Sequence, residues 1–357
     1  MSGPALSRRF YEREVQPRIA PVLGGTPHAA SHLGDGSDSL GYDDGVSPDH
    51  DFGPRVQIVL PEGADPAPVL AALQTLPREY GGFPVSFTSN TASSGWSPQP
   101  AVSTAAELFT ARLGFDPVGG IRLVEWLTTP TQLLATVTAG AVFHDPAQLL
   151  TARRAGLRWY PDDVWRYALA AGWLRIEQKQ PFVGRTGASG DDLGSAVLTA
   201  RLVRDQMKLA FLLERRWAPY SKWLGRAFAE LTIAPRLSGL LAAALAAGDW
   251  GQREAALTGA SGVLLETSNA LGLAAPVDPR PTRFFTRDIM ISRAADAVAE
   301  LVRAITDPEV RALIEGFGGR LDGLHRLPGT IDQAVDSVDV LTNPRLRRAT
   351  AAVLAPG

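Results

Sequence analysis

Residues 33–60 read LGDGSDSLGYDDGVSPDHDFGPRVQIVL, and this stretch decides the fold that we expect for the chain. It ends in Arg55–Leu60, where alternation and β-branched residues predict a strand. The residues before that strand, 24–54, are rich in Gly, Ser and Asp and poor in apolar side chains. A segment of that length is either functional or disordered. Because a strand follows directly, we expect it to be functional.

Two acids stand close to the start of the predicted strand. In an extended chain, side chains at i and i+2 share a face, so the carboxylates of Asp49 and Asp51 are expected to converge while His50 points away. Paired carboxylates suit Mg²⁺, a hard cation usually held by one or two carboxylates plus substrate phosphates. The alternative is a solvated turn cluster, since Asp43 and Asp44 are nearby in sequence and turns favour Asp.

A glycine–serine pair lies upstream of the two acids. Eleven residues separate Ser37 from Asp49. Gly36 provides a flexible turn whose backbone N–H groups can approach phosphate oxygens. Gly-Ser pairs are also common in ordinary turns, so the functional interpretation depends on the spacing to Asp49. We therefore treat Gly36 and Ser37 as candidate phosphate-binding residues.

The rest of the chain divides where its hydrophobic periodicity changes. Predicted strands and helices alternate up to about residue 155, and helical periodicity dominates afterwards. We predict an α+β protein, with a mixed-sheet domain over residues 1–155 (N-terminal helix 5–20 included) and an all-helical bundle over 156–357. The glycine-rich residues 180–191 are predicted as a helix connector or a lid. The other predicted strands lie at 84–89, 101–104 and 140–144, and the main predicted helices at 65–76, 105–113, 131–138, 162–179, 191–216, 220–231, 236–247, 250–271 and 291–305.

Composition and charge exclude several classes of protein. The 357 residues include 35 Lys and Arg against 37 Asp and Glu, a net charge of −2, which excludes a general basic footprint for duplex nucleic acid. There is no Cys, so disulfides, thiolate metal sites and cysteine nucleophiles are excluded. The longest apolar stretch, near residues 237–248, is shorter than the roughly 20 residues of a membrane span. Residues 1–19 lack the apolar segment of a secretory signal, so we expect a cytoplasmic protein without a membrane or nucleic-acid partner.

The glycine–serine turn, the two acids and the following strand together resemble the signature of the polymerase-beta-like nucleotidyltransferase superfamily. Longer stretches resemble the bacterial family called domain of unknown function 4037. Besides residues 33–55, they are TAGAVFHD at 138–145, WYPDDVWR at 159–166, FVGR at 182–185, DDLGS at 191–195, LERRWAPYSKW at 213–223 and DQAVDS at 332–337. The resemblance implies a nucleotidyltransferase-type mixed sheet in the first domain. It also implies that Gly36 and Ser37 hold nucleotide phosphates and that Asp49 and Asp51 hold Mg²⁺, but it implies no substrate.

Basic residues of the second domain are further candidates for binding phosphates. Arg201, Arg204 and Lys208 share one face of a predicted helix. They form either a basic wall against a triphosphate or a solvated face on which Asp205 pairs with Arg201. Lys222 resembles the lysine with which the helical domains of nucleotidyltransferases reach the phosphates. The alternative is an exposed Lys222 beside aromatic core anchors.

A third carboxylate, usual in the superfamily as general base or metal ligand, has no clear counterpart. The resemblance places it near Ala101, but the predicted strands at 84–89 and 101–104 contain no acid. Glu107 and Glu125 are the nearest replacements in the sequence. Glu107 lies in a predicted helix, where an exposed charge is the alternative to a catalytic role, and Glu125 follows an alternating apolar run that can direct it into the cleft. Without such a base, turnover would fall by about 10²–10⁴.

These observations predict a Mg²⁺-dependent nucleotidyltransferase that moves a nucleotidyl group onto a hydroxyl or phosphate of a small molecule. AMP from ATP is the expected group by analogy. Two alternatives stay open: a catalytically weak or inactive nucleotide-binding or regulatory protein of the same fold, and a nucleotidyltransferase that modifies a macromolecule. The sequence does not determine the nucleotide, the acceptor or the oligomeric state.

Overall fold

The structure of the chain is a computed structural model, which describes residues 2–43, 53–88, 96–97, 100–318, 320–321 and 323–355. The chain forms two compact units. The first comprises Met1–Ile121 and Thr131–Arg158, and the second comprises Arg122–Pro130 and Trp159–Gly357. The short segment 122–130 therefore belongs to the second unit, although it interrupts the first in sequence.

The first unit begins with three consecutive helical segments, which are α1 Gly3–Phe10, a π-helical turn Tyr11–Val15 and α2 Gln16–Leu23. Phe10 and Val15 are both fully buried in one core cluster. They are five residues apart, a spacing that directs side chains away from each other in a regular α-helix of 3.6 residues per turn. The wider π turn lets both side chains reach the same core. Gly24, with φ 55°, ends α2 in the left-handed conformation.

The described residues of the first unit include eight strands, and four of them form a mixed main sheet. The eight are β1 Ala29–His32, β2 Gln57–Leu60, β3 Glu79–Tyr80, β4 Phe83–Pro84, β5 Phe87–Thr88, β6 Trp96–Ser97, β7 Ala101–Thr104 and β8 Ala141–His144. The order in the main sheet is β7-β2-β1-β8. β1 is antiparallel to β2 and β8, and β2 is parallel to β7. In this register Gln57 lies opposite Ser31 on one side and Ala101 on the other.

Two features of the sheet differ from the sequence-based prediction. β1 was not predicted, because its sequence Ala-Ala-Ser-His lacks the β-branched and aromatic residues that mark strands. It is a strand because it pairs on both edges. The predicted strand 84–89 was wrong, since β4 and β5 are two-residue strands in separate hairpins with β3 and β6. Pro84 has no N–H to donate, which disfavours a longer strand there.

The core of the first unit follows from alternation along the start of β2. Val56, Ile58 and Leu60 are two residues apart, so their side chains share a face. They are buried with Phe10 and Ile19 of the N-terminal helices. The strand predicted over residues 55–60 is thus confirmed, with regular pairing over Gln57–Leu60.

The other helices of the first unit are α3 Ala67–Leu73, α4 Ala105–Leu113, α6 Thr131–Ala139 and α7 Thr151–Gly156. Local sequence sets both ends of α4. The side chains of Thr104 and Glu107 each accept a hydrogen bond from the other residue's backbone N–H, which is a capping box. Gly114, with φ 89°, ends the helix.

The second unit is mainly helical, and the α+β class is confirmed. Its helices are α5 Leu123–Thr128, α8 Asp162–Glu177, α9 Gln180–Ala188, α10 Asp192–Leu213, α11 Ser221–Ala229, α12 Ala234–Ala246, α13 Trp250–Ala270, α14 Ala294–Ala304, α15 Pro308–Gly316, α16 Ile331–Ala334, α17 Val338–Thr342, α18 Pro344–Ala349 and α19 Ala351–Leu354. Two hairpins that were not predicted join β9 Thr282–Arg283 to β10 Met290–Ile291 and β11 Arg320–Leu321 to β12 Leu324–His325. Within α8, Trp165, Tyr167 and Trp173 are fully buried.

The predicted connector or lid at 180–191 is instead mostly helical, and its glycines have a packing role. A Cβ on Gly187 of α9 would collide with the side chain of Trp250 at the start of α13. The small residue therefore permits close approach of two helices, and this requirement outweighs the low helix propensity of glycine.

Among the described residues, none of the helices combines the length and the apolar character that crossing a membrane requires.

Candidate functional site

The residues after β1 form the candidate loop, Leu33–Asp43. Gln57 of β2 anchors its first residue through both side-chain atoms. Oε1 accepts hydrogen bonds from the Leu33 N–H at 2.9 Å and the Ser31 hydroxyl at 3.2 Å, and Nε2 donates to the Leu33 carbonyl at 3.0 Å. One buried amide thus connects the end of β1 to the neighbouring strand.

Two glycines determine the path of the candidate loop. Gly34 and Gly36 have φ values of 109° and 123°, which L side chains rarely adopt. A Cβ on Gly34 would collide with the Arg112 guanidinium, and one on Gly36 would meet Asp38 and lie 2.9 Å from Nη2 of Arg55. Glycine is therefore required at both positions by conformation and by space.

The backbone of the candidate loop combines internal hydrogen bonds with open donors. The loop closes on itself where the Tyr42 N–H donates to the Ser37 carbonyl at 2.7 Å. Within the described part of the chain, the N–H groups of Asp35 and Gly36 have no acceptor. Adjacent backbone N–H groups beside a left-handed residue are a common device for binding anions.

Arg55, two residues before β2, binds several groups of the candidate loop at once. Its guanidinium forms an ion pair with Asp38, and Nη1 donates to the Asp35 carbonyl at 2.6 Å. Nη2 also lies 2.9 Å from Nε2 of His32 at the end of β1. The side chain is only 15% exposed. One planar group with several donors thus holds the loop against the start of β2.

His32 and Asp38 complete this buried cluster. His32 is fully buried, with Nδ1 2.8 Å from the Ser7 hydroxyl of α1 and Nε2 3.2 Å from Oδ2 of Asp38. Burial lowers the pKa of His32, so the ring is neutral at neutral pH. Burial alone would raise the pKa of Asp38, but the close approach of His32 and the charge of Arg55 outweigh it and lower the pKa to about 2. The cluster therefore contains one cation and one anion.

Arg112 of α4 is a second guanidinium beside the candidate loop. Nη2 donates to the Leu33 carbonyl at 3.4 Å, and Nη1 lies 3.9 Å from Oδ2 of Asp35. Burial lowers the pKa of Arg112, although an arginine stays protonated in proteins. Arg55 and Arg112 thus both lie against the candidate loop, and each is near one of its carboxylates, Asp38 and Asp35 respectively.

The structure places only part of the predicted site. Gly36 and Ser37 lie in the candidate loop at the end of β1, beside Arg55. Asp49 and Asp51 lie outside the described residues, so their assignment to Mg²⁺ stays a prediction. In the described ranges, there is no group of three or more His, Asp or Glu side chains arranged to hold a metal ion.

The predicted basic residues of α10 have partners within the second unit. Nε of Arg201 lies 3.9 Å from Asp205, and Nη2 of Arg204 lies 2.8 Å from Asp336. Lys208 is partly buried and donates to the Asp332 carbonyl at 3.3 Å. Burial lowers the pKa of Lys208. Their assignment to a triphosphate stays a prediction, and binding there would compete with these contacts.

Lys222 lies in the first turn of α11 and is exposed. Its ammonium group is 5.0 Å from the centre of the Trp223 ring, a cation–π contact. The indole N–H of Trp223 in turn donates to the Tyr220 hydroxyl at 2.8 Å. Lys222 is therefore available to an anion from solvent.

The two suggested replacements for a third carboxylate are both helix caps. Glu107 accepts from the Thr104 N–H at 2.8 Å, as described for α4. Glu125 accepts from the Arg122 N–H at 2.9 Å and from two atoms of the Arg122 guanidinium. The alternating apolar residues before Glu125 do not continue as a strand, because residues 123–128 form α5.

Sequence reasoning missed the side chains that position the candidate loop, namely Gln57, His32, Asp38, Arg55 and Arg112. Asp38 directly follows the Gly-Ser pair and Arg55 follows the two acids, so both stood inside the quoted stretch. Their pairing had no sequence signal, because 17 residues separate them. The available sequence signal was that an acid, Asp38, and a base, Arg55, flank the candidate motif at its two ends.

Comparison with known proteins supports part of the predicted resemblance. Residues 126–224 match the family model described as Domain of unknown function (DUF4037), which confirms the resemblance over that stretch. The match includes Lys222 and the basic residues of α10 but not the candidate loop. A solved structure described as a nucleotidyltransferase-like protein from Exiguobacterium sibiricum 255-15 has 12% identity and a TM-score of 0.34, covering 90% of this chain and 96% of that chain. No curated protein matches this chain.

Proposed function

We propose that the protein is a Mg²⁺-dependent nucleotidyltransferase that moves a nucleotidyl group, AMP from ATP, onto a hydroxyl or phosphate of a small molecule. One observation carries the proposal. Among the described residues, the N–H groups of Asp35 and Gly36 have no acceptor, and they lie in a loop bordered by the guanidinium groups of Arg55 and Arg112. Such an arrangement suits the oxygens of a phosphate chain.

The donor chemistry of the neighbouring segment fits a magnesium ion. Asp49 and Asp51 precede Arg55 by six and four residues, and two carboxylates with substrate phosphates are the usual ligands of Mg²⁺. Asp49 and Asp51 would hold the ion, which would supply positive charge against the charge that develops during transfer. In this proposal Gly36 and Ser37 orient the β- and γ-phosphates, and Asp49 and Asp51 fix the metal beside them.

Calorimetric titration of Mg-ATP tests the metal assignment. Asp51→Asn should weaken binding by at least tenfold, the lower end for loss of an interaction with a charged group. Asp288→Asn is a suitable control, because that carboxylate is 94% exposed and lies in the second unit. Equal affinities of wild type and Asp51→Asn, in proteins that melt alike, would contradict the metal site.

Turnover distinguishes the enzyme from a binding protein. Wild type is incubated with each nucleoside triphosphate, Mg²⁺ and a small-molecule metabolite extract, and pyrophosphate release is measured. Release that depends on the extract and on Asp51 supports the proposed reaction. The absence of release from a protein that binds Mg-ATP would favour the alternative of a nucleotide-binding protein without turnover. One observation favours that alternative: β7 has no acid, and Glu107 and Glu125 are engaged as caps.

The basic residues of the second unit extend the proposal. If Lys222 contacts phosphates, Lys222→Ala should weaken binding of ATP more than binding of AMP, by about 1.5–3 kcal/mol. Arg226→Ala serves as a control, because Arg226 also stacks on Trp223, at 5.7 Å, without having been assigned to phosphates. Equal losses for ATP and AMP, or no loss, would remove Lys222 from the phosphate site. Arg201, Arg204 and Lys208 are tested in the same way.

A further inference from the structure

We infer that Arg55 is a positioning residue of the proposed nucleotide site. Through Asp38, it holds the candidate loop in the conformation that binds phosphate. The inference rests on the proposed function and adds a role that the sequence did not assign. Arg55 contacts three parts of the first unit at once: the Asp35 carbonyl, the Asp38 carboxylate and the His32 ring.

The position of Arg55 in the chain gives these contacts their significance. It follows Asp51 by four residues and precedes β2 by two. In the sequence, the segment that carries the two acids therefore ends at the residue that binds the candidate loop. A single guanidinium therefore sets the distance between the candidate loop, which carries the proposed phosphate donors, and the start of β2.

The electrostatics of the cluster favour positioning over direct phosphate binding. The Arg55 charge is balanced by the Asp38 carboxylate, whose pKa is about 2, and His32 is neutral. The backbone of the candidate loop at Gly36 packs against the Arg55 guanidinium. Direct contact with a phosphate is the competing role, because Nε of Arg55 is buried and has no acceptor among the described residues.

A double-mutant cycle separates the two roles. Arg55→Lys keeps the charge but loses the planar fork, and Asp38→Asn keeps the size but loses the partner charge. If Arg55 acts through Asp38, each variant should weaken Mg-ATP binding by about 10- to 100-fold. The double variant should then be little worse than either single variant, because both break one interaction. If Arg55 binds phosphate directly, Asp38→Asn should retain or increase affinity, since it frees the guanidinium.

The experiment measures Mg-ATP and adenosine affinity by calorimetry in the full chain, together with thermal melts. Arg18→Lys is the matched control, because Arg18 forms a 2.9 Å ion pair with Glu14 on a helix of the same unit. Loss of Mg-ATP affinity in folded Arg55→Lys, with adenosine affinity unchanged, supports positioning of the phosphate loop. Equal loss for both ligands would indicate a general structural role and overturn the inference.

A second readout protects the test against poor folding. Amide hydrogen exchange at residues 34–39 should be faster in Arg55→Lys than in wild type, while exchange in β8 stays unchanged. If the wild type, Arg55→Lys and Asp38→Asn all bind Mg-ATP equally well, the positioning role is overturned while the proposed function stands. Wild type that binds no Mg-nucleotide overturns the proposed function and this role with it.

Discussion

The imidazole rings of His28 and His144 lie with their centroids 4.5 Å apart, and Nε2 of His28 is 2.9 Å from the Tyr11 hydroxyl. Burial and the proximity of His144 lower the pKa of His28 from 6.5 to about 4. The folded state therefore resists protonation of His28 at a pH where the unfolded chain accepts a proton. The contribution of neutral His28 to stability is complete above pH 6.5 and is lost as the pH falls toward 4.

The first prediction is that acid destabilises the wild type more than His28→Gln. Between the pKa values of His28 in the unfolded and folded states, each pH unit changes the free energy of unfolding by about 1.4 kcal/mol. Between about pH 7 and about pH 5, the wild type should lose about 2 kcal/mol more free energy of unfolding than the variant, which has no titrating group at this position. Urea denaturation at the two pH values measures the difference. Parallel losses in the two proteins would show that His28 titrates normally in the folded state.

The second prediction concerns Gly36 and Gly41, which both have positive φ values, of 123° and 78°. An added Cβ at Gly36 meets Asp38 and Arg55, whereas nothing lies within 4 Å of one at Gly41. Gly41→Ala should cost about 1–3 kcal/mol from backbone strain alone, and Gly36→Ala should cost more. Chemical denaturation compares them. A Gly36→Ala protein no less stable than Gly41→Ala would mean that the Asp38–Arg55 pair moves freely.

The third prediction is that Asp163 stabilises the second unit far more than its neighbour Asp162. Oδ2 of Asp163 accepts from the N–H groups of Thr306 and Asp307, at 2.8 and 2.6 Å, and Oδ1 accepts from Arg166 at 2.6 Å. Asp163→Asn should lower stability by about 1.5–3 kcal/mol, because charge-assisted hydrogen bonds are lost.

The matched control for Asp163 is Asp162→Asn. Asp162 is exposed in the first turn of α8, where a carboxylate gains about 0.3–1 kcal/mol from the helix dipole. Thermal melts of the two variants, side by side, measure the contrast. Similar melting temperatures would mean that the contacts of Asp163 with residues 306–307 contribute little.

The fourth prediction follows from the cap role of Glu125. Glu125→Ala should reduce stability by about 0.3–1.5 kcal/mol, as expected for loss of a capping interaction. It should leave any nucleotidyl turnover unchanged, because the carboxylate is held by Arg122. Thermal melts and pyrophosphate release test both parts. A fall in rate of about 10² or more with unchanged stability would instead identify Glu125 as a general base.

Several elements could be predicted because their signals are local. β2 follows from the alternation of Val56, Ile58 and Leu60, and α4 follows from the Thr104–Glu107 capping box and Gly114. The glycine–serine turn was recognisable because positive φ values select glycine at specific positions. In each case the residues that set the structure are a few positions apart.

Other elements depended on partners far away in the sequence. β1 is a strand because β2 and β8 supply hydrogen bonds to both of its edges, not because Ala-Ala-Ser-His favours extension. The glycine-rich residues 180–188 are helical, and within this helix Gly187 allows close approach to Trp250. Local propensity alone indicates the opposite structure in both cases.

By itself, the sequence determined the α+β class, the strand after the two acids and the turn that precedes them, since periodicity, capping and glycine act over a few residues. Only the tertiary structure decided what holds that turn. One buried cluster brings together side chains that lie apart in the sequence, namely Ser7, His32, Asp38 and Arg55. Burial makes their ionisation states and hydrogen bonds interdependent, and no local pattern encodes such a meeting.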